Sequence, residues 1–357
     1  MESKMNYPKV TICVPVRNGA RTIRRTLDSI LAQDYPNFEV IVSDNCSDDD
    51  TASIVQEYAW QGVQYYFNPK LEEWGESNWN HILSLAKGHF IALYHADDIY
   101  TPIMVRRQVE FLLNHPKASA VFTKTQTIDE FDRPIRNGLR RLPEELKDRE
   151  EFDFPDLLNT VLKHGNFLTV PTLMGRRESL DKAGSFDLKF CTAADIDLWL
   201  RLSQLGTVGI IDEPLHKYRV SENQWSAKLF KFRIDRAHFL QVMDHYLSIP
   251  EFRKLVIPKT FRFYKMHGIT DDIIRAMNMF YLGNVADARS LIKAALSRPE
   301  FREGLLTKNF ARHFIFSLPV FLIIQLGWRK LLYSLYEKCY KPWRRYGRLR
   351  LFKKEKI

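Results

Sequence analysis

Phe90-Ile91-Ala92-Leu93-Tyr94-His95-Ala96-Asp97-Asp98 is a short apolar run that ends in paired carboxylates. Val40-Ile41-Val42-Ser43-Asp44-Asn45-Cys46-Ser47-Asp48 repeats the pattern about fifty residues earlier. A brief apolar run with polar flanks reads as a strand buried on both faces. Open α/β sheets bind ligands beyond the carboxyl ends of their parallel strands. Adjacent aspartates at such an end can hold a hard divalent cation against a diphosphate. The two stretches together predict an α/β sheet that handles a nucleotide.

The flanking sequence extends the same rhythm. Val10 to Val16 is a further apolar run, closed by the turn Arg17-Asn18-Gly19, and Ile23, Leu27, Ile30 and Leu31 follow at helical spacing. Strand character returns at Val63 to Phe67 and Ala120 to Thr123. Helices are expected over Asp48 to Tyr58, Ser77 to Ala86 and onward from Pro102, with Gly88 as a stop. This order predicts a mostly parallel, Rossmann-like sheet flanked by helices, with a helical C-terminal extension. Residues 126–165 are charged and irregular, and Arg136, Arg140, Arg141 and Glu144-Glu145 read there as a solvated loop and helix. Further on, Val170 to Met174 reads as a strand, Leu180 to Asp187 and Asp195 to Leu205 as helices, and Val208 to Ile211 and Leu215 to Val220 as two strands. Helix is expected from Ala227 to about Leu296.

Neither GxGxxG nor GxxxxGKS occurs, so a diphosphate would have to be neutralised by a metal rather than a glycine-rich cradle. The four cysteines, Cys13, Cys46, Cys191 and Cys339, form no CxxC pair, which argues against a zinc site or a disulfide framework. The polar start, Met1 to Tyr7, lacks the apolar core of a signal peptide, and a cytoplasmic location is expected. The net charge of +10 is concentrated at one end. Residues 311–357 hold 12 Lys/Arg against 2 Asp/Glu, and the preceding 310 residues are neutral.

Several side chains carry candidate chemistry. Asp97 and Asp98 are hard oxygen ligands suited to Mn²⁺ or Mg²⁺. An Asp-Asp pair alone is more often a solvated helix cap, and it is their place after a buried strand, in register with a second acidic strand end, that favours a metal. Asp44 could accept hydrogen bonds from a base or ribose, or bond its own turn. Asp195 and Asp197 open a helix, either as its acidic first turn or as a general base for a sugar hydroxyl. Arg17, Asn68, Lys70 and Asn80 lie where they could reach base, ribose or phosphate. His95 and His216 read as packing or hydrogen-bonding residues.

Taken in order, these motifs resemble the family 2 glycosyltransferases and their A-type nucleotide-sugar-binding fold. The resemblance runs from Thr11-Ile12-Cys13-Val14-Pro15-Val16-Arg17-Asn18-Gly19 through Leu27 to Val40, Val42 to Asp48, Asn80 to Gly88 and Ala96-Asp97-Asp98. It continues through Pro171-Thr172-Leu173-Met174 to Ala194-Asp195-Ile196-Asp197-Leu198-Trp199-Leu200-Arg201-Leu202. It implies a metal-dependent inverting transfer from a nucleotide-diphosphate sugar, a UDP-sugar first, to a hydroxyl of a saccharide or polyprenyl-linked acceptor in cell-surface polysaccharide synthesis. Pro15, Arg17, Asn18, Asp44, Asn68, Asn80 and Asp97 would bind the nucleotide sugar. Asp97 and Asp98 would hold Mn²⁺ or Mg²⁺, and Asp195 would be the base.

Two positions depart from the family pattern. His95 stands where relatives often carry the first Asp of Asp-x-Asp. Ala194 stands where a Glu often precedes the base, which leaves Asp195 one carboxylate neighbour short. These departures keep two alternatives in view: a nucleotidyltransferase that makes the sugar nucleotide, and a non-catalytic nucleotide-sugar-binding protein.

The expected layout is a catalytic domain over 1–225, with a nucleotide-binding half at 8–125 and an acceptor half at 126–225. A helical extension over 226–310 and a tail over 311–357 follow. Phe314 to Trp328 is nearly all apolar yet short for a bilayer span. Behind it, Tyr333, Tyr336, Tyr340, Trp343 and Tyr346 interleave with Lys338, Lys341, Arg344, Arg345, Arg348 and Arg350. Apolar anchor, aromatic belt and basic run point to a peripheral contact with the anionic inner face of the cytoplasmic membrane. A buried or dimer-forming helix is the competing reading. RNA binding is weaker, and no nucleic-acid partner is expected.

Overall fold

Every residue of β1 (Val10–Val16) is buried, as an apolar strand must be when helices cover both faces of its sheet. The computed structural model describes residues 7–70, 75–220, 233–307 and 310–335. The chain divides into two units: Met1–Val161 with Asn166–Val220, and Leu162–Gly165 with Ser221–Ile357.

The first unit holds the sheet. Parallel ladders join β1 to β2 (Phe38–Asn45) and to β4 (Phe90–Leu93), and β2 to β3 (Val63–Asn68). The register sets Val16 opposite Asp44, and Asp44 opposite Phe67, so the acidic and polar strand ends line one edge. The other parallel ladder joins β6 (Ala118–Ile128) to β10 (Thr207–Arg219). Between these halves runs β9 (Met174–Arg176), antiparallel to both β4 and β6. Short antiparallel pairings add β5 (Ile99–Tyr100), β7 (Pro134–Leu139) and β8 (Glu151–Phe152), giving ten strands among the described residues. The longest ladders are the parallel ones, and the mixed α/β sheet flanked by helices follows the sequence reading.

Helices α1 (Ile23–Leu31), α2 (Thr51–Gln56), α3 (Gly75–Leu85) and α4 (Met104–Asn114) connect the early strands. Ile23, Leu27 and Ile30 of α1 join Val10, Ile12, Val14, Val40 and Val42 in one apolar core. Later come α5 (Phe154–His164), α6 (Arg177–Ala183) and α7 (Ala194–Leu205).

Three local expectations change. Residues 126–165 contain strands β7 and β8 and helix α5. Strand β7 is a marginal strand with Pro at its first position and Arg136 exposed, so its sequence lacks clean alternation. Val170–Thr172 is a 3₁₀ turn, and pairing begins only at Met174. The two strands expected over 208–220 are one strand, β10, whose ladder with β6 breaks register between Ile211 and His216. A polar Asp-Glu-Pro insertion inside one bulged strand reads in sequence as a loop.

The second unit is helical where described. Its helices are α8 (His238–Ser248), α9 (Pro250–Arg253), α10 (Pro258–Leu282), α11 (Val285–Ser297), α12 (Pro299–Leu306), α13 (Ala311–Leu326) and α14 (Arg329–Leu335). Helix α10 ends at Gly283, whose φ of 102° lets Asn284 N–H reach back to the Met279 carbonyl at 2.8 Å. Its core joins Ile269, Ile273 and Phe280 of α10 to Ile292 of α11 and to Phe314, Val320 and Ile324 of α13. Phe314 to Trp328 therefore packs against protein along one face. No described helix is long and apolar enough to cross a membrane. Tyr336 to Arg350 of the basic run, and the expected helix start at 227–232, lie outside the described residues.

Gly88 sits where α3 must turn directly into β4. A Cβ there would meet the Thr11 nitrogen at 2.5 Å, the Phe90 carbonyl oxygen at 2.7 Å and the Lys9 carbonyl oxygen at 2.9 Å. All three are backbone atoms, so no side chain can yield. Gly88→Ala should lower unfolding stability by about 1–3 kcal/mol in a urea titration, without altering the denaturant slope.

Candidate active site

The site assembles at the carboxyl ends of β1, β2 and β4, from loops that hold one another. The N–H groups of Asn18, Gly19 and Ala20 donate to Ser47 Oγ (2.8 Å), Thr51 Oγ1 (2.8 Å) and Asp49 Oδ2 (3.1 Å). Asn18 Oδ1 accepts the Asp48 N–H at 3.0 Å, with Asn18 held at a φ of 51°. Asp49, rather than Asp50 at the N-cap, accepts the Thr51 N–H at the start of α2. These bonds fix the turn that carries Pro15, which is buried, and Arg17, which is exposed.

Asp44 is buried. Its Oδ1 accepts the Ser47 N–H (2.9 Å), the turn bond its position allowed, and its Oδ2 accepts the Tyr65 hydroxyl (2.9 Å). Asn68, also buried, donates to Asn78 Oδ1 at 3.2 Å. Asn78 was not singled out in the sequence. It accepts from the Ser43 hydroxyl at 2.7 Å and donates to the Ser43 carbonyl at 2.9 Å, tying α3 to the end of β2. Asn80 Nδ2 donates to the Phe186 carbonyl (2.9 Å) and its Oδ1 accepts the Phe186 N–H (2.7 Å), so both ends of its amide are engaged.

The acidic motif after β4 is held from three sides. Thr26 Oγ1 on α1 donates to the carbonyls of Ala96 (3.0 Å) and Asp98 (2.8 Å). Tyr100, its ring stacked on Tyr94 with centroids 3.9 Å apart, accepts the His95 N–H at 2.7 Å. Asp98 itself is fully buried. Its Oδ1 accepts the Arg219 N–H at 2.8 Å and its Oδ2 lies 2.9 Å from His216 Nε2. Burial pushes the His216 imidazole down to about 3, so the ring is neutral. The hydrogen-bond network assigns the proton to Nε2, donated to Asp98, and leaves Nδ1 to accept from Thr125 Oγ1 at 3.1 Å.

Asp97 is the open member of the pair, with its side chain half-buried. Burial, with the adjacent Asp98 charge behind it, raises its carboxyl to about 6. Ligand atoms of His95, Asp97 and Asp98 lie within 4.8 Å of one another. His95 Nε2 is buried without a hydrogen-bond partner. An unpartnered imidazole nitrogen beside an accessible carboxylate fits a divalent cation, and nitrogen with oxygen suits Mn²⁺ better than Mg²⁺. His95, read from sequence as a packing residue, is thus placed as a ligand candidate. Each Asp98 oxygen accepts one hydrogen bond and keeps a second lone pair, so Asp98 stays a ligand candidate beside them.

Asp195 lies in the first turn of α7, after the 3₁₀ segment Leu188–Ala193. Asn166 Nδ2 donates to its Oδ2 at 2.6 Å, and the Ile196 N–H to its Oδ1 at 2.7 Å. Burial raises the Asp195 carboxyl to about 6. Asp197 is instead engaged with Arg201 at 2.8 Å and belongs to the packing of α7.

Helix α3 links this carboxylate to the acidic motif. Trp79 stacks on His95 with ring centroids 5.7 Å apart and meets Phe186 edge-on at 5.0 Å. Glu76, one turn earlier on the same face, is buried with one carboxylate oxygen unpartnered, and burial followed by the Asp195 charge raises it to about 7. Glu76 thus lies within reach of the Asp195 charge, a neighbour that no sequence spacing connected to it. Arg140, expected in a solvated loop, is half-buried with its guanidinium 4.9 Å from the Tyr218 ring centroid.

The comparisons with known proteins meet this geometry. The family model described as glycosyl transferase family 2 matches residues 11–184. The putative glycosyltransferase EpsE of Bacillus subtilis is 30% identical over 256 residues, 68% of this chain and 84% of EpsE. The chain belongs to glycosyltransferase family 2. It is accordingly a glycosyltransferase. The putative teichuronic acid biosynthesis glycosyltransferase TuaG of Bacillus subtilis is 27% identical over 245 residues, covering 66% of this chain and 91% of TuaG. Among solved structures, S. aureus TarS 1–349 in complex with UDP-GlcNAc superposes with a TM-score of 0.52 at 18% identity, covering 84% of this chain and 91% of that one. The mannosyltransferase PcManGT of Pyrobaculum calidifontis, in complex with GDP-Man and Mn²⁺, gives 0.51 at 19% identity, covering 89% and 88%. These two share the fold.

Glu76 carries a pH signature. Its carboxyl titrates near 7 in the folded chain and near 4.5 when unfolded, so the folded state binds the extra proton between those values. Stability is full below about pH 4.5 and falls as pH rises through 7, by on the order of 2–3 kcal/mol. Glu76→Gln should match the wild type in urea unfolding at pH 4.5 and exceed it at pH 8.

Proposed function

We propose that this glycosyltransferase moves a sugar from a nucleotide-diphosphate donor, a UDP-sugar first, to an acceptor hydroxyl with inversion at the anomeric carbon. One observation carries the reading. On α3, Trp79 stacks against His95 of the acidic motif while Glu76, one turn away, senses the charge of Asp195. One face of α3 thus presents side chains toward both the donor-side cluster and the proton acceptor. The solved structures of the same fold, TarS with UDP-GlcNAc and PcManGT with GDP-Man and Mn²⁺, support the donor class.

Each residue then has a task. Asp44, with Pro15, Arg17, Asn18 and Asn68 around it, receives the base and ribose. Asn80 acts through Phe186 to hold the segment leading to Asp195. Asp97 and Asp98, with His95 beside them, would hold the divalent cation. When bound, the cation neutralises the departing diphosphate. Asp195 accepts the proton of the acceptor hydroxyl as its oxygen attacks the anomeric carbon and the nucleoside diphosphate leaves from the opposite face. Asn166 steadies the charged carboxylate through its amide hydrogen bond. One displacement without a covalent intermediate inverts the configuration.

The product would belong to cell-surface polysaccharide, in keeping with the named role of TuaG. The acceptor would be a saccharide or polyprenyl-linked glycan at the inner face of the cytoplasmic membrane. Helix α13 supports that location. Ile315, Leu318, Leu322 and Leu326 stand on one face and are between 46 and 59% exposed, while Phe314, Val320 and Ile324 fill the core behind them. Trp328 and Leu331 extend the exposed apolar surface, and residues 336–357 add nine Lys/Arg against two Glu. An apolar stripe next to a basic run fits an anionic lipid surface.

Four measurements test these readings. Asp195→Asn should abolish transfer while UDP still binds, and Asp97→Ala should lose Mn²⁺-dependent UDP binding in calorimetry. The wild-type transfer rate should fall below about pH 6, as Asp195 becomes protonated. Wild-type turnover by Asp195→Asn removes that residue as the base. For the membrane, the triple substitution Leu318→Ser, Leu322→Ser, Leu326→Ser spares the buried face of α13. It should reduce flotation with phosphatidylglycerol vesicles, and equal flotation rejects the lipid surface.

A further inference from the structure

The acceptor half contains a cation that the transfer chemistry above does not use. Arg140 follows β7, and its N–H donates to the Thr125 carbonyl at 2.9 Å, which anchors its backbone to β6. Its guanidinium packs over Tyr218 of β10 and makes neither an ion pair nor a hydrogen bond among the described residues. The arginines around it differ: Arg107 pairs with Glu213, Arg133 with Asp129, Arg149 with Asp156, and Arg219 with Asp132. A half-buried guanidinium held over an aromatic ring, with its five donors unmet, is preorganised for an oxyanion.

The surroundings fit such a ligand. Arg140 lines a cleft with Thr123, Lys124, Thr125, Phe167 and Thr169, and Arg141 stands exposed at its edge. The hydroxyls of Thr125 and Thr169 lie 3.0 Å apart, and Thr125 continues through His216 to Asp98. On the other side, Asn166 immediately precedes the Phe167–Thr169 lining and holds Asp195. The cleft thus adjoins both the acidic motif and the proposed base. Lys124 is already engaged with Asp212, so the unpaired charge comes from Arg140 and Arg141.

We propose that Arg140, with Arg141 at the cleft edge, binds a phosphate group of a transfer substrate, carried either by the donor diphosphate or by a phosphorylated acceptor. This rests on the donor-transfer reading and adds an anion subsite to it. Planar paired donors select phosphate oxygens by geometry as well as charge.

The test uses the full chain and inorganic pyrophosphate as the probe, titrated by calorimetry in the presence and absence of saturating UDP. The wild type should bind pyrophosphate, and Arg140→Ala should weaken it by about 10- to 100-fold. Arg140→Lys should recover only part of the loss, because an ammonium lacks the fork. Arg141→Ala, at an exposed position, should weaken binding less and serves as a second variant should Arg140→Ala unfold. If UDP blocks pyrophosphate and Arg140→Ala weakens UDP in parallel, the phosphate is the donor's. If pyrophosphate still binds beside UDP, and UDP affinity survives the substitution, the phosphate is the acceptor's. Pyrophosphate binding unchanged by folded Arg140→Ala and by Arg141→Ala overturns the subsite. The Asp97→Ala and Asp195→Asn results would stand apart from that outcome, so the two readings fail separately.

Discussion

The buried carboxylate of Asp98 is the constraint on which the site depends. It lies in the core with a hydrogen bond from the Arg219 backbone and another from a neutral His216, and no water is needed to satisfy it. A charged group so placed is tolerable only with such partners, and losing one leaves the other side uncompensated. The clasp joins the loop after β4 to the end of β10, segments about 120 residues apart. Arg219 extends it by donating through Nε to the Asp97 carbonyl at 2.7 Å. Asp97 therefore has its backbone fixed while its side chain stays open. Rigid backbone under an accessible carboxylate is what a ligand site requires.

Helix α3 supplies a second layer of positioning. Asn78 braces the ends of β2 and β3, Asn80 braces Phe186, and Trp79 packs between His95 and Phe186. Glu76 then sits near Asp195 without a partner for one oxygen. A buried carboxyl left so exposed to like charge weakens the fold at high pH, which is a common cost of functional placement. Two departures from the family pattern gain a spatial meaning here. His95 brings an imidazole nitrogen to the side chains of Asp97 and Asp98, and Glu76 brings a carboxylate within reach of the Asp195 charge where position 194 has none.

Helix α13 has a different physics. It is apolar around most of its circumference, yet only one side is covered by the second unit's own core. Such a helix is either buried or set against another apolar medium. The sequence alone left burial and a membrane contact as rivals; in the folded chain one face of the helix is buried and the opposite face is exposed.

The sequence by itself determined the β-α order, the mostly parallel character of the sheet and the acidic strand ends, because period and local turn chemistry are written in neighbouring residues. The family, too, was legible from motif order. What tertiary structure alone decided are pairings across long separations. These are the antiparallel insertion of β9, the single bulged β10, Asp98 with His216 and Arg219, Glu76 beside Asp195, and Arg140 stacked on Tyr218. Each depends on which strands become neighbours, and register between distant segments leaves no periodic trace in either one. Arg140 and Glu76 look like ordinary surface charges in a one-dimensional reading. Only the folded chain removes their water and partners, and that desolvation turns a common charge into a candidate functional group.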